Sequence, residues 1–249
     1  MINTNTELNL NPPFLKTAVS GSRFIPMLFS TDMVKAILKG TKTQTRRIIN
    51  PQPENFKPNS IISNCNFKNG NFCFKHKISN NPDRFEITDL MKSKVNFGDI
   101  IWLRETFCND ERGSESGEDD CFYYKADMAD DIWLGSWKPS LFMPKKACRI
   151  FLKVVSVSVE VLHDISEIDA INEGIEIVDN IPMLYNNYLN GKNIIWDEIG
   201  SIKKTYGFTN PINSYKSLWQ KINGQNNWNE NPFVFVYKFQ RIDEPYGFR

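Results

Sequence analysis

Residues 30–47, Ser30-Thr31-Asp32-Met33-Val34-Lys35-Ala36-Ile37-Leu38-Lys39-Gly40-Thr41-Lys42-Thr43-Gln44-Thr45-Arg46-Arg47, carry a helix, its stop and a basic turn in one run. Ser30-Thr31-Asp32 offers N-cap oxygens ahead of Met33, Val34, Ile37 and Leu38, which recur at helical spacing. Gly40 stands where a C′ glycine is expected, so the helix is about two turns long. The turn then presents Lys42, Thr45 and Arg47, and Ile48-Ile49 begins a strand that Asn50-Pro51-Gln52-Pro53 stops. Upstream, Phe24-Ile25-Pro26-Met27-Leu28-Phe29 is an apolar run suited to a first strand.

Working outward, the pattern is strand-rich. Phe97-Gly98-Asp99 reads as a turn into a strand over Ile100–Phe107, and Cys121–Lys125 as the next strand. Trp137-Lys138-Pro139-Ser140-Leu141-Phe142-Met143-Pro144 reads as extended chain with proline boundaries. Arg149 to Leu162 is the longest strand candidate. Ile150, Leu152 and Val154 follow one period-2 register and Val155, Val157, Val159 and Val161 another, so a β-bulge is expected near Val154-Val155. Ser166 to Gly174 predicts a second short helix, Ser214 to Ile222 a last helix, and Phe233 to Phe239 a final strand. Residues 50–96 are Asn- and Pro-rich, with aromatic alternations at Phe72-Cys73-Phe74 and Phe85-Glu86-Ile87, and suggest an inserted β-meander or hairpin. An exposed acidic loop is expected from Asn109 to Asp120, and a partly helical insertion over 176–211. Short strands, few helices and no βαβ alternation point to an α+β fold or a small, mainly antiparallel β-barrel.

A chain of 249 residues with 41% hydrophobic and 13% aromatic content fits one elaborated domain, here 23–249, behind a loose leader over 1–22. The net charge of +1 argues against binding of long duplexes through many phosphate contacts, which normally shows a clear basic excess; a nucleic-acid role would rest on a local cluster. The 5 cysteines are odd in number and widely spaced, which argues against a disulfide framework and for a reducing compartment. No signal peptide and no apolar run of about 18 residues is visible, so the expected location is the cytoplasm.

Lys42 beside Thr45 has two readings. A lysine near a threonine hydroxyl acts as its base if burial or a neighbouring cation lowers its pKa, and Arg46 or Arg47 could supply that pressure or hold a phosphate or carboxylate bidentately. Alternatively, the basic turn simply faces solvent. In the strand at Ile100, Trp102 and Arg104 share one face and Leu103 and Glu105 the other, so one of these charges could enter a cleft. Tyr124 and Trp137 could stack a base, or pack in the core. Cys73 and His76, with Cys65 nearby, lack a second ligand pair, so no metal and no cofactor is expected. His163 stands alone, and no Gly-x-Ser-x-Gly elbow, P-loop or dinucleotide fingerprint is present.

The octet Gly40 to Arg47 resembles the ASCH signature Gly-x-Lys-x-x-[Glu/Thr]-x-Arg. Leu28-Phe29-Ser30, Gly98-Asp99 leading into Ile100–Phe107, and Trp137–Pro144 are similar to segments of uncharacterised ASCH-domain proteins of phages and prophages. Together they cover roughly residues 24 to 242. The resemblance implies a PUA-like barrel whose cleft handles a nucleoside or single-stranded RNA. One branch of the family removes the acyl group from N4-acetylcytidine with a Lys, a Thr and a Glu. Lys42 and Thr45 match the first two, and Glu173, late in the second helix, is the best match for the third. The implied roles are Thr45 as nucleophile, Lys42 as its base and Glu173 as proton donor or orienting group. Arg46, Arg47, Trp102, Arg104, Glu105 and Tyr124 are then candidates for substrate binding. Other readings stay open: a non-catalytic reader of RNA or a modified base, a metal-independent ribonuclease, and a protein-interaction scaffold. Oligomeric state is not legible.

Overall fold

The computed structural model describes residues 22–54, 61–66, 70–78, 81–110, 121–128, 136–178, 181, 183–189, 194–196, 202–205 and 207–248. The apolar run at Phe24 forms β1 (Phe24–Leu28), and the Ser30 side chain caps α1 (Thr31–Leu38) by accepting from the Met33 amide. Gly40 turns the chain at φ +77°. β2 (Gln44–Ile48) begins at Gln44, not at Ile48, so Thr45, Arg46 and Arg47 are strand residues rather than turn residues. That shift puts consecutive side chains of the basic segment on opposite faces.

β3 (Ile61–Asn66), β4 (Asn71–Ile78) and β5 (Asn81–Lys92) form an antiparallel three-stranded meander that contains both aromatic alternations. The strand expected over Ile100–Phe107 is broken in two, β6 (Ile100–Arg104) and β7 (Phe107–Asp110). At the break the Glu105 amide donates to Met143 Sδ and its carboxylate pairs with Arg149, so the backbone leaves the ladder. β7 pairs with β8 (Cys121–Tyr124). Of the leader expected over 1–22, residues 1–21 lie outside the described residues, as do residues 111–120 of the acidic loop expected from Asn109 to Asp120.

β9 (Phe151–Val161) leads to α2 (Glu167–Asn172), capped by Ser166. Between Glu176 and Asn210 the described residues hold the paired β10 (Ile194–Trp196) and β11 (Ile202–Thr205), and no helix, where a partly helical segment was expected. α3 (Pro211–Asn223) starts three residues before the predicted Ser214, because Asn210 caps it and Pro211 occupies its first turn. α4 (Gln225–Asn229) and β12 (Phe233–Ile242) complete the chain.

The central sheet has the order β1-β6-β9-β12-β2. β1 and β6 run parallel and the other neighbours antiparallel, so the sheet is mixed. The expected bulge falls at Val155: Val154 opposes Phe239 and Ser156 opposes Lys238, leaving Val155 unpaired. The extra residue keeps Val154 and Val159 on the same core face despite their odd spacing.

A closed barrel was the sequence expectation; among the described residues no sheet closes. β1 and β2 remain the two edges. Where a ladder would join them, the Arg47 guanidinium of β2 donates to the Leu28 carbonyl oxygen of β1 at 2.9 Å. A side chain spans the seam instead of backbone.

Alternation along β12 divides the core. Phe233, Phe235, Tyr237 and Phe239 face α1 and the meander with Phe72, Phe74 and Met91. Val234 and Val236 face α2, α3 and α4 with Ala170, Tyr215, Leu218, Trp219 and Trp228. A third cluster packs Ile100, Met143 and Phe151 on Phe248. Cys73 is disulfide-bonded, against the expectation drawn from cysteine spacing, while Cys108, Cys121 and Cys148 are not in disulfides. Among the described residues, no helix is long and apolar enough to cross a membrane.

Candidate functional site

The exits of α1 and α2 lie side by side. Lys42 and Glu173 form an isolated antiparallel bridge, and the Thr43 amide donates to the Asn172 carbonyl at 2.9 Å. Glu173 is the C-cap of α2, and Gly174 follows at φ +84°. A Cβ on Gly174 would sit 2.6 Å from the Lys42 Cβ and 2.7 Å from the Ala36 Cβ. Glycine is therefore needed here twice, for its backbone conformation and for the close approach of Lys42.

The bridge delivers three sequence-distant charges to one buried point. Lys42 Nζ donates to Glu173 Oε2 at 2.8 Å and to the Glu173 carbonyl at 2.9 Å. Arg46 Nη1 donates to the other carboxylate oxygen at 3.0 Å, and Nη2 to Glu160 Oε2 at 2.9 Å. Asp169 stands 3.6 Å from Arg46 and 3.8 Å from Lys238. Lys42, Arg46 and Glu173 are each 2% exposed, so the basic run does not face solvent.

Strand alternation explains the sorting. Gln44 and Arg46 point to the α2 side, where Gln44 also donates to the Asp169 carbonyl. Thr45 and Arg47, opposite Tyr237 and Phe235, belong to the other face. β2 is an edge strand, so both sets reach the cavity beside it. That cavity, about 90 Å³, lies between β2 and α3, with Thr45, Arg46, Glu173, Tyr215 and Trp219 in its wall.

Two buried polar atoms there have no hydrogen-bond partner among the described residues: Thr45 Oγ1 and Arg46 Nε. An orphaned hydroxyl in a buried wall costs about 1–3 kcal/mol of desolvation, and such groups in folded proteins usually mark a bound water, a ligand or a reaction.

The electrostatics follow from burial. Desolvation pulls the Lys42 ammonium below its ordinary value, and the Glu173 carboxylate only partly restores it. Burial acts on Arg46 in the same direction, but the carboxylates of Glu173 and Glu160 outweigh it and the pKa rises. Arg47 is lowered by burial. The Tyr215 hydroxyl is pushed well above the usual tyrosine range by burial and then by Glu173, so it remains a neutral donor.

Of the three residues matched to catalysis, Thr45 and Glu173 share the cavity wall and Lys42 grips Glu173 from behind. Lys42 has no hydrogen bond to Thr45. Arg46 and Arg47 also line the cavity. The remaining candidates sit elsewhere. Trp102 packs on Phe248 beneath the Arg104 guanidinium, which also bonds the Leu141 carbonyl. Glu105, Arg149 and Asp127 form an ion-pair cluster, with Arg149 stacked 3.8 Å over Tyr124. Burial lifts the Glu105 carboxyl despite Arg149, and the Tyr124 hydroxyl is pushed up to about 12. Among the described residues no group of three or more His, Cys, Asp or Glu is placed to hold a metal.

Sequence reasoning missed Glu160, Asp169 and Tyr215. Glu160 sits in a valine-rich strand as its one acidic residue, which was a signal; the inward aim of Tyr215 had none. Comparison with family models, with curated proteins and with solved structures finds no match to this chain.

Proposed function

We propose that this is an ASCH-like protein of PUA-like architecture, and that the cavity at Thr45 receives the exocyclic N-acyl end of a modified pyrimidine nucleoside such as N4-acetylcytidine and hydrolyses its amide. The observation that carries this reading is the unpartnered Thr45 hydroxyl in a cavity wall shared with Glu173 and Arg46. At about 90 Å³ the cavity is far smaller than the roughly 300–1,000 Å³ of pockets that engulf a whole drug-sized ligand. It suits the reacting end of a nucleoside, with the sugar left at the mouth.

In the proposed reaction Thr45 Oγ1 attacks the acyl carbon and gives up its proton to neutral Lys42. Burial makes that neutral form more accessible than in a free lysine. To accept the proton, Lys42 Nζ turns from the Glu173 carbonyl toward Thr45. The C–N bond breaks, the Glu173–Lys42 pair returns the proton to the departing amine, and an acyl-Thr45 ester remains. Water then cleaves the ester to the carboxylic acid. The Arg46 Nε–H has no other acceptor among the described residues and is the natural donor to the developing oxyanion.

A second reading is favoured by one observation: Lys42 makes two hydrogen bonds to Glu173 and none to Thr45. On that reading the same cavity recognises a modified base or RNA without turnover, or holds a phosphate for metal-independent RNA cleavage. Turnover of N4-acetylcytidine by wild type, Thr45→Val and Lys42→Met decides. Cytidine release by wild type, lost in both variants while nucleoside binding survives, supports hydrolysis. Binding without release by wild type supports the reader, and RNA fragments that vanish with Lys42→Met support cleavage.

A further inference from the structure

The seam between the two edge strands holds a second cavity, larger than the first at about 280 Å³. Ile25 and Met27 of β1 form one wall, Arg47 and Ile48 of β2 the other, and Phe235 and Tyr237 of β12 the floor. Lys92, the last residue of β5, and Lys94 stand at its rim. Three cations thus converge on a part-aromatic cavity, and no carboxylate lines it among the described residues. Neither lysine ammonium has an ion-pair partner among the described residues, unlike the buried cations around Glu173.

Arg47 links the two cavities, since it and Ile48 line both. Its guanidinium is held by the Leu28 and Arg46 carbonyls and by the Phe29 ring at 5.2 Å. Two of its five N–H donors are engaged by these carbonyls, leaving others for a further acceptor. The guanidinium is thereby positioned before any ligand arrives, which lowers the entropic cost of binding an anion.

We infer that the seam cavity is a phosphate subsite, in which Arg47, Lys92 and Lys94 hold the phosphate of a nucleotide whose base enters the cavity at Thr45. The inference rests on the proposed base site and deepens it: the nucleoside that enters that site is held more tightly when it carries a phosphate, as a nucleotide or within a short RNA. A chain with net charge +1 has no general attraction for polyanions, so three cations without a carboxylate form a local exception.

The test is calorimetric titration of the full chain and of a Lys92→Gln/Lys94→Gln variant with cytidine, cytidine 5′-monophosphate, the dinucleotide CpC and inorganic phosphate. Both lysines are exposed, so the variant keeps its melting temperature. The expected result is that the monophosphate binds wild type roughly tenfold or more tightly than cytidine, as charge-assisted hydrogen bonds would give. That gain shrinks with added salt and disappears in the variant, whose cytidine affinity is unchanged. Tighter binding of CpC than of the monophosphate identifies an internucleotide phosphate as the natural occupant, and the reverse identifies a mononucleotide. If cytidine fails to bind but inorganic phosphate binds wild type and not the variant, the subsite stands and the base site falls. A monophosphate that binds no better than cytidine, or equally well to the variant, overturns the subsite.

Discussion

Replacing Glu173 by glutamine removes the one carboxylate that two buried cations share. Lys42 Nζ loses its only ion-pair partner among the described residues, at 2.8 Å, whereas Arg46 keeps Glu160 at 2.9 Å. Breaking one side of a buried pair costs about 3–5 kcal/mol, because the remaining charge is left uncompensated. Lys42→Met removes the lysine instead, and Glu173 keeps Arg46 at 3.0 Å. Its cost is nearer the roughly 1.5–3 kcal/mol of a hydrogen bond to a charged group. Glu173→Gln is therefore the more destabilising single change. In the double variant no lysine is stranded, so the two costs do not add: the shortfall is at least about 1 kcal/mol, beyond the 0.3–0.5 kcal/mol scatter of independent sites. Urea unfolding followed by tryptophan fluorescence reads all four proteins. Additive costs, or Lys42→Met as the worse single change, would refute the claim that Glu173 is what holds Lys42 in place.

Three further outcomes follow from the same geometry. Gly174→Ala places a methyl group 2.6 Å from the Lys42 Cβ at φ +84° and should cost about 2–4 kcal/mol from left-handed backbone strain plus overpacking, read as a fall in melting temperature. Because burial lowers the folded-state pKa of Lys42, the unfolded chain binds that proton more tightly between the lowered value and the ordinary 10.5. Unfolding free energy gains a positive slope with pH in that window, and Lys42→Met removes that contribution; identical slopes for the two proteins would contradict it. If neutral Lys42 is the base, turnover of N4-acetylcytidine rises with pH to a midpoint below 10.5, and a flat profile speaks against that role.

How much of this was legible varied with the kind of interaction. Local signals worked. Ser30 and Ser166 cap the helices they were expected to cap, and the two valine registers gave away the bulge at Val155. Non-local pairing did not show. Nothing in Thr43 to Arg47 reveals that β12 recruits Gln44 onward into the sheet, and that pairing buries Arg46 and sends Thr45 and Arg47 to the opposite face. The parallel pairing of β1 with β6 was equally invisible, as was the seam that Arg47 spans. Lys42, Thr45 and Glu173 were named as a group through resemblance, and the fold brings them to one place. The way Lys42 and Glu173 engage each other, leaving the Thr45 hydroxyl without a partner among the described residues, depends on Gly174 and on the Lys42–Glu173 bridge, which only three dimensions display.

The central claim is that Thr45 Oγ1 is the atom that meets the acyl carbon. Rapid quenching of wild type mixed with N4-acetylcytidine, followed by peptide mass spectrometry, tests it most directly. The account predicts an acetyl group on Thr45 during turnover, absent in Thr45→Val. Cytidine released with Thr45 unmodified and Thr45→Val fully active, or no cytidine released at all, would contradict it.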